Sequence, residues 1–371
     1  MAINNKKTNI VLIIVISIVS GLFAGFLGCF LLLISTTITI PFIGNLENYL
    51  PKREITIKTQ EKITAVRDVL IEESVEELKG EIVKIFLVKK EGKDILSNAY
   101  LDKEILGSGF ILTNDGWIIS TEAVISNIQK NYLVLTEDNK FYPVEKIIKD
   151  DFTGVIFLKI FAVDLPVVKL ADKDDITVGQ EILIFDKTKR LFIDSLSQLK
   201  YCLLEEKKDL IRSTEKFCEF LLINKDLDES FNGSALINLD KSFIGIVDKN
   251  KQIVPSYYFK NLVNQILKKG EIERIYLGID FIDLSYVTAT FDNVVQPTLA
   301  KNKGVLIHQL AKDSPAAKSD LKKDDIILKI DNEVINHHNS FQELLQNYKK
   351  GDRLELTILR AGAERVVELK L

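Results

Sequence analysis

The chain has 371 residues, of which 46% are hydrophobic and 27% charged. At about 150 residues per domain this allows two to three domains with a sizeable core, and it excludes a chain that is disordered or fibrous throughout. Lys and Arg number 49 against 53 Asp and Glu, a net charge of −4, which excludes nucleic-acid binding through a general cationic surface. The three Cys and three His are too few for a disulfide scaffold or a zinc cluster, and no metal or cofactor is expected.

Residues Ile10 to Ile43 carry no charged side chain. A helix needs about 20 apolar residues to cross a bilayer, and Ile10–Ile34 exceeds that. It also exceeds the roughly 7–15 apolar residues of a signal peptide. The pattern predicts a transmembrane anchor over 9–43 after a cytoplasmic tail, 1–8. Lys6 and Lys7 precede the span, so the N-terminus is expected inside and the rest outside the cytoplasm. The expected location is the cell membrane, crossed once. Ser17, Gly21 and Gly25 repeat every four residues, a spacing that lets helices approach closely, although small residues are ordinary in such helices. Gly28-Cys29 is not read as a lipidation site, because Phe26 is bulky and apolar residues continue beyond the Cys.

Residues 44–80 are polar and read as a stalk. Its end, Glu61–Glu77, lacks Gly and Pro and spaces Ile63, Val66, Val69, Leu70 and Val75 as a helix would. From Ile82 the pattern changes to short strands: Ile82–Val88, Gly109–Thr113, Trp117–Ser120, Tyr132–Leu135, Val155–Ile160 and Glu181–Phe185. Asn114-Asp115-Gly116 supplies a hairpin turn. Such strands predict a β-barrel or sandwich over 81–256. Asp150-Asp151 and Asp174-Asp175 read as solvated turns. Tyr257–Lys269 is a predicted helix stopped by Gly270, inside a linker of 257–275. A smaller α/β unit, 276–371, follows. Its strands are predicted at Gly304–Gln309, Asp325–Ile330, Arg353–Arg360 and Glu364–Leu371, and its helices at Ser314–Ser319 and Ser340–Asn347.

Four strings in this last unit resemble a bacterial PDZ domain: Tyr276-Leu277-Gly278-Ile279, Ser314-Pro315-Ala316-Ala317-Lys318, Leu321 to Ile327, and Gly351-Asp352-Arg353-Leu354. Upstream, Leu106-Gly107-Ser108-Gly109-Phe110-Ile111-Leu112 is similar to the GSGF strand of the HtrA/DegP serine proteases. Leu170-Ala171-Asp172-Lys173-Asp174 with Val178-Gly179-Gln180 is similar to their LGDSD…VGE segment. The resemblance covers about 76–371, with the motifs in the family's order. It implies a mostly β chain: a trypsin-like double β-barrel plus a PDZ domain, preceded by one N-terminal transmembrane helix.

A protease of this type needs a Ser nucleophile, a His base and an Asp that orients the His. The family's TNxHVV-like segment reads Ser120-Thr121-Glu122-Ala123-Val124-Ile125 here, with Ala123 in the place of the His. Its TDLAVLKI-like strand reads Thr153-Gly154-Val155-Ile156-Phe157-Leu158-Lys159-Ile160, with Gly154 in the place of the Asp. Its GNSGGPLVN-like turn reads Ser230 to Asn238, with Asn232 in the place of the Ser. All three roles are absent from these positions. Ser230 and Phe231 also replace the Gly and Asn of the turn that forms the oxyanion hole, and bulk at Phe231 is expected to distort the loop or fill the cleft. Ser234 and Ser120 read as ordinary strand or turn residues. His308, His337 and His338 all fall in the PDZ-like unit, and no Lys is marked as the base of a Ser–Lys dyad.

What remains is binding. PDZ domains add an extended peptide to a sheet edge and capture its terminal carboxylate. The resemblance implies that Leu277, Gly278 and Ile279 form the carboxylate loop and that Phe281 continues the pairing strand. Phe341, Leu344 and Leu345 would line the side-chain pocket or serve as core. Asp320 and Asp324 depart from the family, where Gly is common. His337-His338 reads as a solvated loop. Cys202 and Cys218 are expected outside the cytoplasm, where a disulfide is permitted, and sequence leaves open whether they meet. The expected function is that of a membrane-anchored HtrA-like pseudoprotease. Its partners would be protein C-termini or unfolded segments of exported proteins, and by resemblance it forms a homotrimer or a mixed oligomer with an active relative. The alternatives are an active endopeptidase with a rearranged site, and a structural envelope protein with a closed PDZ groove.

Overall fold

The computed structural model describes residues 13–27, 57–287 and 303–371. The predicted tail 1–8, the anchor residues 9–12 and 28–43, and the stalk residues 44–56 lie outside the described residues. Residues 13–27 form an exposed helix, α1. Among the described residues no helix is long and apolar enough to cross a membrane. Helix α2 spans Ile57–Glu81 and is longer than its spacing predicts. Its packed face is Ile71, Ser74, Val75 and Leu78, an i, i+3, i+4, i+7 stripe. Val69, expected on the apolar face, is exposed.

Six strands close the first barrel: β1 (Ile82–Leu87), β2 (Gly107–Ile111), β3 (Trp117–Thr121), β4 (Tyr132–Leu135), β5 (Phe141–Lys149) and β6 (Val155–Ile160), in the order β1-β2-β3-β6-β5-β4. A one-turn helix, α3 (Ile95–Asn98), interrupts the β1–β2 connection and is capped by Asp94, whose carboxylate accepts from the Ser97 N–H. Gly116 has φ +102°, as the predicted turn between β2 and β3 requires. The β3–β6 register runs from Trp117↔Lys159 to Thr121↔Val155. It brings the residues that follow β3 beside those that precede β6.

The second barrel is built from β7 (Lys169–Leu170), β8 (Glu181–Phe185), β9 (Leu191–Tyr201), β11 (Phe220–Ile223), β12 (Ala235–Asn238), β13 (Ser242–Val247) and β14 (Ile253–Pro255). The order is β12-β8-β9-β11-β14-β13, closed by β12–β13 pairing, with β7 parallel on β13. One apolar cluster joins both barrels to α2 and to α4 (Lys260–Lys269). In it Phe110 of β2 meets Phe243 of β13 edge-on at 5.6 Å, and Phe243 meets Phe259 at 6.0 Å. The predicted helix at Tyr257–Lys269 begins later, after a 3-10 turn at Ser256–Tyr258. It ends as expected at Gly270, whose φ of +69° lets its N–H reach the Ile266 carbonyl at 2.8 Å.

The C-terminal sheet has the order β10-β15-β16-β17-β19-β20, with β18 on β17. Its own strands are β15 (Ile279–Asp283), β16 (Val305–Leu310), β17 (Ile326–Ile330), β18 (Glu333–Val334), β19 (Arg353–Arg360) and β20 (Ala363–Lys370), covered by helix α5 (Phe341–Leu345). The edge strand β10 (Ile211–Ser213) comes from the β9–β11 connection of the second barrel. Ser314–Ser319, expected as a helix, is a run of turns. The segment is too short to nucleate alone, and the Ala316 N–H is diverted to the Leu277 carbonyl at 3.2 Å.

Glu81, the last residue of α2, is 6% exposed and its Oε2 has no hydrogen-bond partner. Burial, and then the charge of Glu77, push its carboxyl from 4.5 up to about 7. Below 4.5 it is protonated both folded and unfolded. Between 4.5 and 7 only the unfolded chain releases the proton, so stability falls as pH rises through this window. Discounted for partial solvation, the loss is about 1–2 kcal/mol. Glu81→Gln should therefore flatten the fall in urea midpoint between pH 5 and pH 8. An unchanged slope in the variant would show that Glu81 is not its source.

Candidate functional site

The two barrels bring together Ala123, Gly154 and Asn232, the three positions that the resemblance aligns with a protease triad. Ala123 lies in the turn after β3, Gly154 just before β6, and Asn232 at the end of a 3-10 turn, Glu229–Phe231. The Glu122 N–H donates to the Gly154 carbonyl at 2.9 Å, and the Ser108 N–H donates to the Asn232 carbonyl at 3.1 Å. A Cβ at Gly107 would lie 2.5 Å from both the Asn232 carbonyl oxygen and the Val124 side chain, so the 232 turn packs directly on the segment of Ala123.

The chemistry at this junction is ionic and filled. Glu122 pairs with Lys249 at 2.5 Å and with Lys149 at 3.2 Å. Burial pushes its carboxyl up, but hydrogen bonds from the two lysines outweigh this and hold it below the ordinary range. Gly154 has φ +72°, and a Cβ there would stand 3.0 Å from Glu122 Oε1. Glu122 thus occupies the space that an Asp side chain at 154 would need. Asn232 Oδ1 accepts from Lys251 Nζ at 2.8 Å.

An oxyanion hole of this type uses the N–H of the nucleophile position and of the residue two before it. The Asn232 N–H donates to the Glu229 carbonyl at 3.3 Å, and the Ser230 N–H to Asp228 Oδ1 at 2.8 Å. Phe231 does not fill the cleft. It is buried in the second barrel, edge-on to Phe192 at 5.0 Å. Ser234 and Ser120 are buried, and their hydroxyls donate to the Phe185 carbonyl at 2.6 Å and the Ser108 carbonyl at 2.8 Å. Both therefore serve structure. A cleft of about 210 Å³ beside Gly154 is lined by Glu122, Thr153, Asp248, Cys202 and Cys218. The two Cys are free thiols. A hydrogen bond with Cys218 lowers the Cys202 thiol to about 7 against the effect of burial.

Asp150 differs from its sequence reading as half of a solvated pair. Asp151 is exposed, but Asp150 is buried and accepts from Arg274 Nη2 at 2.6 Å and Nε at 3.1 Å. Asp174 and Asp175 are exposed as expected.

In the C-terminal unit, Leu277 and Gly278 precede β15, which begins at Ile279 and contains Phe281. Gly278 has φ +75°, and a Cβ would meet Ser314 at 2.4 Å, so only Gly fits. Phe341, Leu344 and Leu345 are buried in the core of the unit, with Phe341 edge-on to Phe281 at 5.4 Å. The groove between β15 and α5 holds residues 211–216 of the same chain. The Leu277 and Gly278 N–H groups both donate to Glu215 Oε1, at 3.1 and 2.9 Å. Gln342, on α5, donates from Nε2 to the Ser213 and Lys216 carbonyls, each at 2.5 Å. Sequence reasoning missed Thr214, Glu215 and Gln342, since each acts on residues more than 60 positions away. His338 lies in a loop whose carbonyl accepts from Lys173 Nζ at 2.6 Å and Lys200 Nζ at 3.0 Å.

Two closed six-stranded barrels followed by a sheet and a covering helix define a trypsin-like module joined to a PDZ domain. The PDZ domain family matches residues 276–371. The chain is HtrA/DegP-like. It is 27% identical over 285 residues to a protein of Marinomonas sp. (strain MWYL1) described as "Probable periplasmic serine endoprotease DegP-like", a match that covers 72% of this chain and 56% of the relative. The relative of the same description in Halomonas elongata is 27% identical over 282 residues, with the same coverage. The chain thus spans about half the length of the curated relatives it matches. Among solved structures, the HtrA-type protease AlgW with tripeptide superposes with a TM-score of 0.59 at 18% identity, covering 80% of this chain and 95% of that one. The serine endoprotease from Yersinia pestis superposes with a TM-score of 0.52 at 17% identity, covering 81% and 96%.

Proposed function

We propose that this chain is a non-catalytic, membrane-anchored HtrA-like protein. It binds C-terminal or unfolded segments of exported proteins through its PDZ domain, as scaffold, holding chaperone or regulator. The observation that carries this reading is the residue set Ala123, Gly154 and Asn232 at the meeting point of the barrels, which offers no nucleophile, base or orienter. The engaged N–H groups of Ser230 and Asn232 support it, because they leave no donor pair for an oxyanion. Relatives described as periplasmic support a place outside the cytoplasm, and the uncharged run Ile10–Ile43 supports the anchor. Phe161 and Val163, 84% and 79% exposed on the first barrel, support assembly into a trimer or with an active relative.

Cleavage of a fluorescently labelled unfolded protein tests the reading. The unaltered protein, Ser234→Ala and the restored triple variant Ala123→His/Gly154→Asp/Asn232→Ser are all expected to give no cleavage above buffer. Restoration fails because a side chain at 154 meets Glu122, which Lys149 and Lys249 hold in place, and because the Ser230 and Asn232 N–H groups stay engaged. Cleavage by the unaltered protein that is lost in Ser234→Ala would establish an active endopeptidase and overturn the proposal.

A further inference from the structure

The residues that would receive a peptide carboxylate are already holding one. The segment from Ile211 to Glu215 runs antiparallel to β15, with Ile211↔Ile282, Arg212↔Phe281 and Ser213↔Asp280 in register. Its C-terminal end points at the loop of Leu277 and Gly278, the direction in which a captured C-terminus would run. The Thr214 N–H donates to the Ile279 carbonyl at 3.0 Å, and the Ile279 N–H donates to Thr214 Oγ1 at 3.1 Å. One step further, two adjacent backbone N–H groups converge on a single oxygen of Glu215. Charge-assisted bonds of this kind are the strong ones. The side chain of Arg212 is buried, 3.9 Å above the Tyr286 ring, with Glu219 at 3.5 Å and Asp283 at 3.7 Å. Gln342 clamps the segment from the helix side.

We propose that residues 211–216 are a tethered ligand of the PDZ groove. Thr214 takes the place of the last residue of a bound peptide, and the Glu215 carboxylate takes the place of its terminal carboxylate. The groove is closed in this state, and an outside C-terminus enters only by displacing the segment. The partner that fits has a free α-carboxylate, a small hydroxylated last residue, and an Arg two positions before it to enter the site of Tyr286, Glu219 and Asp283. A segment on a short tether competes at a millimolar-scale effective concentration, so a free peptide must overcome it. The inference rests on the reading of Leu277–Ile279 as a carboxylate loop.

The test uses a fluorescein-labelled peptide of residues 210–214, Leu-Ile-Arg-Ser-Thr, with a free carboxylate, and its C-terminal amide. Anisotropy is read on the unaltered protein and on Glu215→Ala. The expected result is binding of the free-carboxylate peptide at least tenfold tighter to the variant than to the unaltered protein, with no such gain for the amide. Equal affinity for the two proteins overturns the tethered ligand and leaves peptide capture standing. If neither binds, hydrogen exchange at the Leu277 and Gly278 amides decides. Faster exchange in Glu215→Ala supports the tethered ligand while peptide capture falls, and unchanged exchange overturns the tethered ligand as well.

Discussion

Arg274→Ala is expected to lower stability by about 3–5 kcal/mol, the loss typical when one partner of a buried ion pair is removed. The Arg274 side chain is 9% exposed and that of Asp150 fully buried, so neither charge can turn to water when its partner goes. Two guanidinium nitrogens reach the two carboxylate oxygens at 3.1 and 2.6 Å. Nη2 also reaches the Tyr258 carbonyl at 2.8 Å, and Nη1 donates to Gln346, just past α5. The guanidinium further stands 5.4 Å from the Phe152 ring and 5.5 Å from the Phe217 ring. One residue thus fixes the first barrel, the helix-bearing linker and the PDZ domain to each other. Arg274→Lys should recover only part of the loss, because an ammonium cannot make the two-pronged pair. Urea denaturation at pH 7 reads both. A loss below about 1 kcal/mol in Arg274→Ala would place this pair with exposed ones and remove its role as the clamp.

Much of this architecture is visible in the sequence. Tyr132–Leu135, Val155–Ile160, Glu181–Phe185 and Arg353–Arg360 have the predicted bounds, because each is a short apolar or alternating run between turn residues. β5 and β9 were not legible. β5 carries Pro143 and three charged residues, and β9 mixes Asp194, Ser195 and Ser197 into its run, so neither has a clean period. That the segments of Ala123, Gly154 and Asn232 meet was legible from the order of their motifs. What occupies the groove was not. Glu215 meets Leu277 across 62 residues, and a side-chain carboxylate standing in for a chain end leaves no mark in local spacing. Asp150 shows the same limit, since its partner lies 124 residues on.

The filled junction between the barrels and the filled groove follow one physical pattern. In each, polar groups that could act on an outside molecule are satisfied from within the chain. Glu122 is held by two lysines, the amides of Ser230 and Asn232 by the local turn, and the amides of Leu277 and Gly278 by Glu215. A satisfied donor binds an outside acceptor only through exchange, so net affinity is set by the difference between two similar bonds. The turn around Asn232 is locked by bonds within a few residues. The groove is held by a segment more than 60 residues away in sequence, so it opens only if residues 211–216 leave together.

Glu219→Ala is the second large loss, again about 3–5 kcal/mol. The Glu219 side chain is 1% exposed and lies at the centre of a buried cluster. It accepts from the Tyr258 hydroxyl at 3.2 Å and the Tyr286 hydroxyl at 3.1 Å, and pairs with Lys200 at 3.4 Å and Arg212 at 3.5 Å. Burial first, and then the charge of Glu219, hold both phenols above their ordinary range, which favours the protonated, donating form. Removing the carboxylate takes the acceptor of the Tyr258 hydroxyl, leaves the Tyr286 hydroxyl the Lys200 carbonyl at 3.3 Å, and weakens the hold on two buried cations. Lys200 keeps Glu343 at 2.8 Å, whereas Arg212 keeps the more distant Asp283 at 3.7 Å and the face of the Tyr286 ring at 3.9 Å. The damage should therefore fall mostly on Arg212 and with it on β10. Glu219→Gln keeps one acceptor and should lose less, about 1–3 kcal/mol. A double-mutant cycle with Arg212→Met reads the coupling directly. The double variant should lose less than the sum of the singles by at least about 1 kcal/mol. Simple additivity would show that Glu219 and Arg212 do not act as a pair, and that β10 is held by its backbone bonds, Glu215 and Gln342 instead.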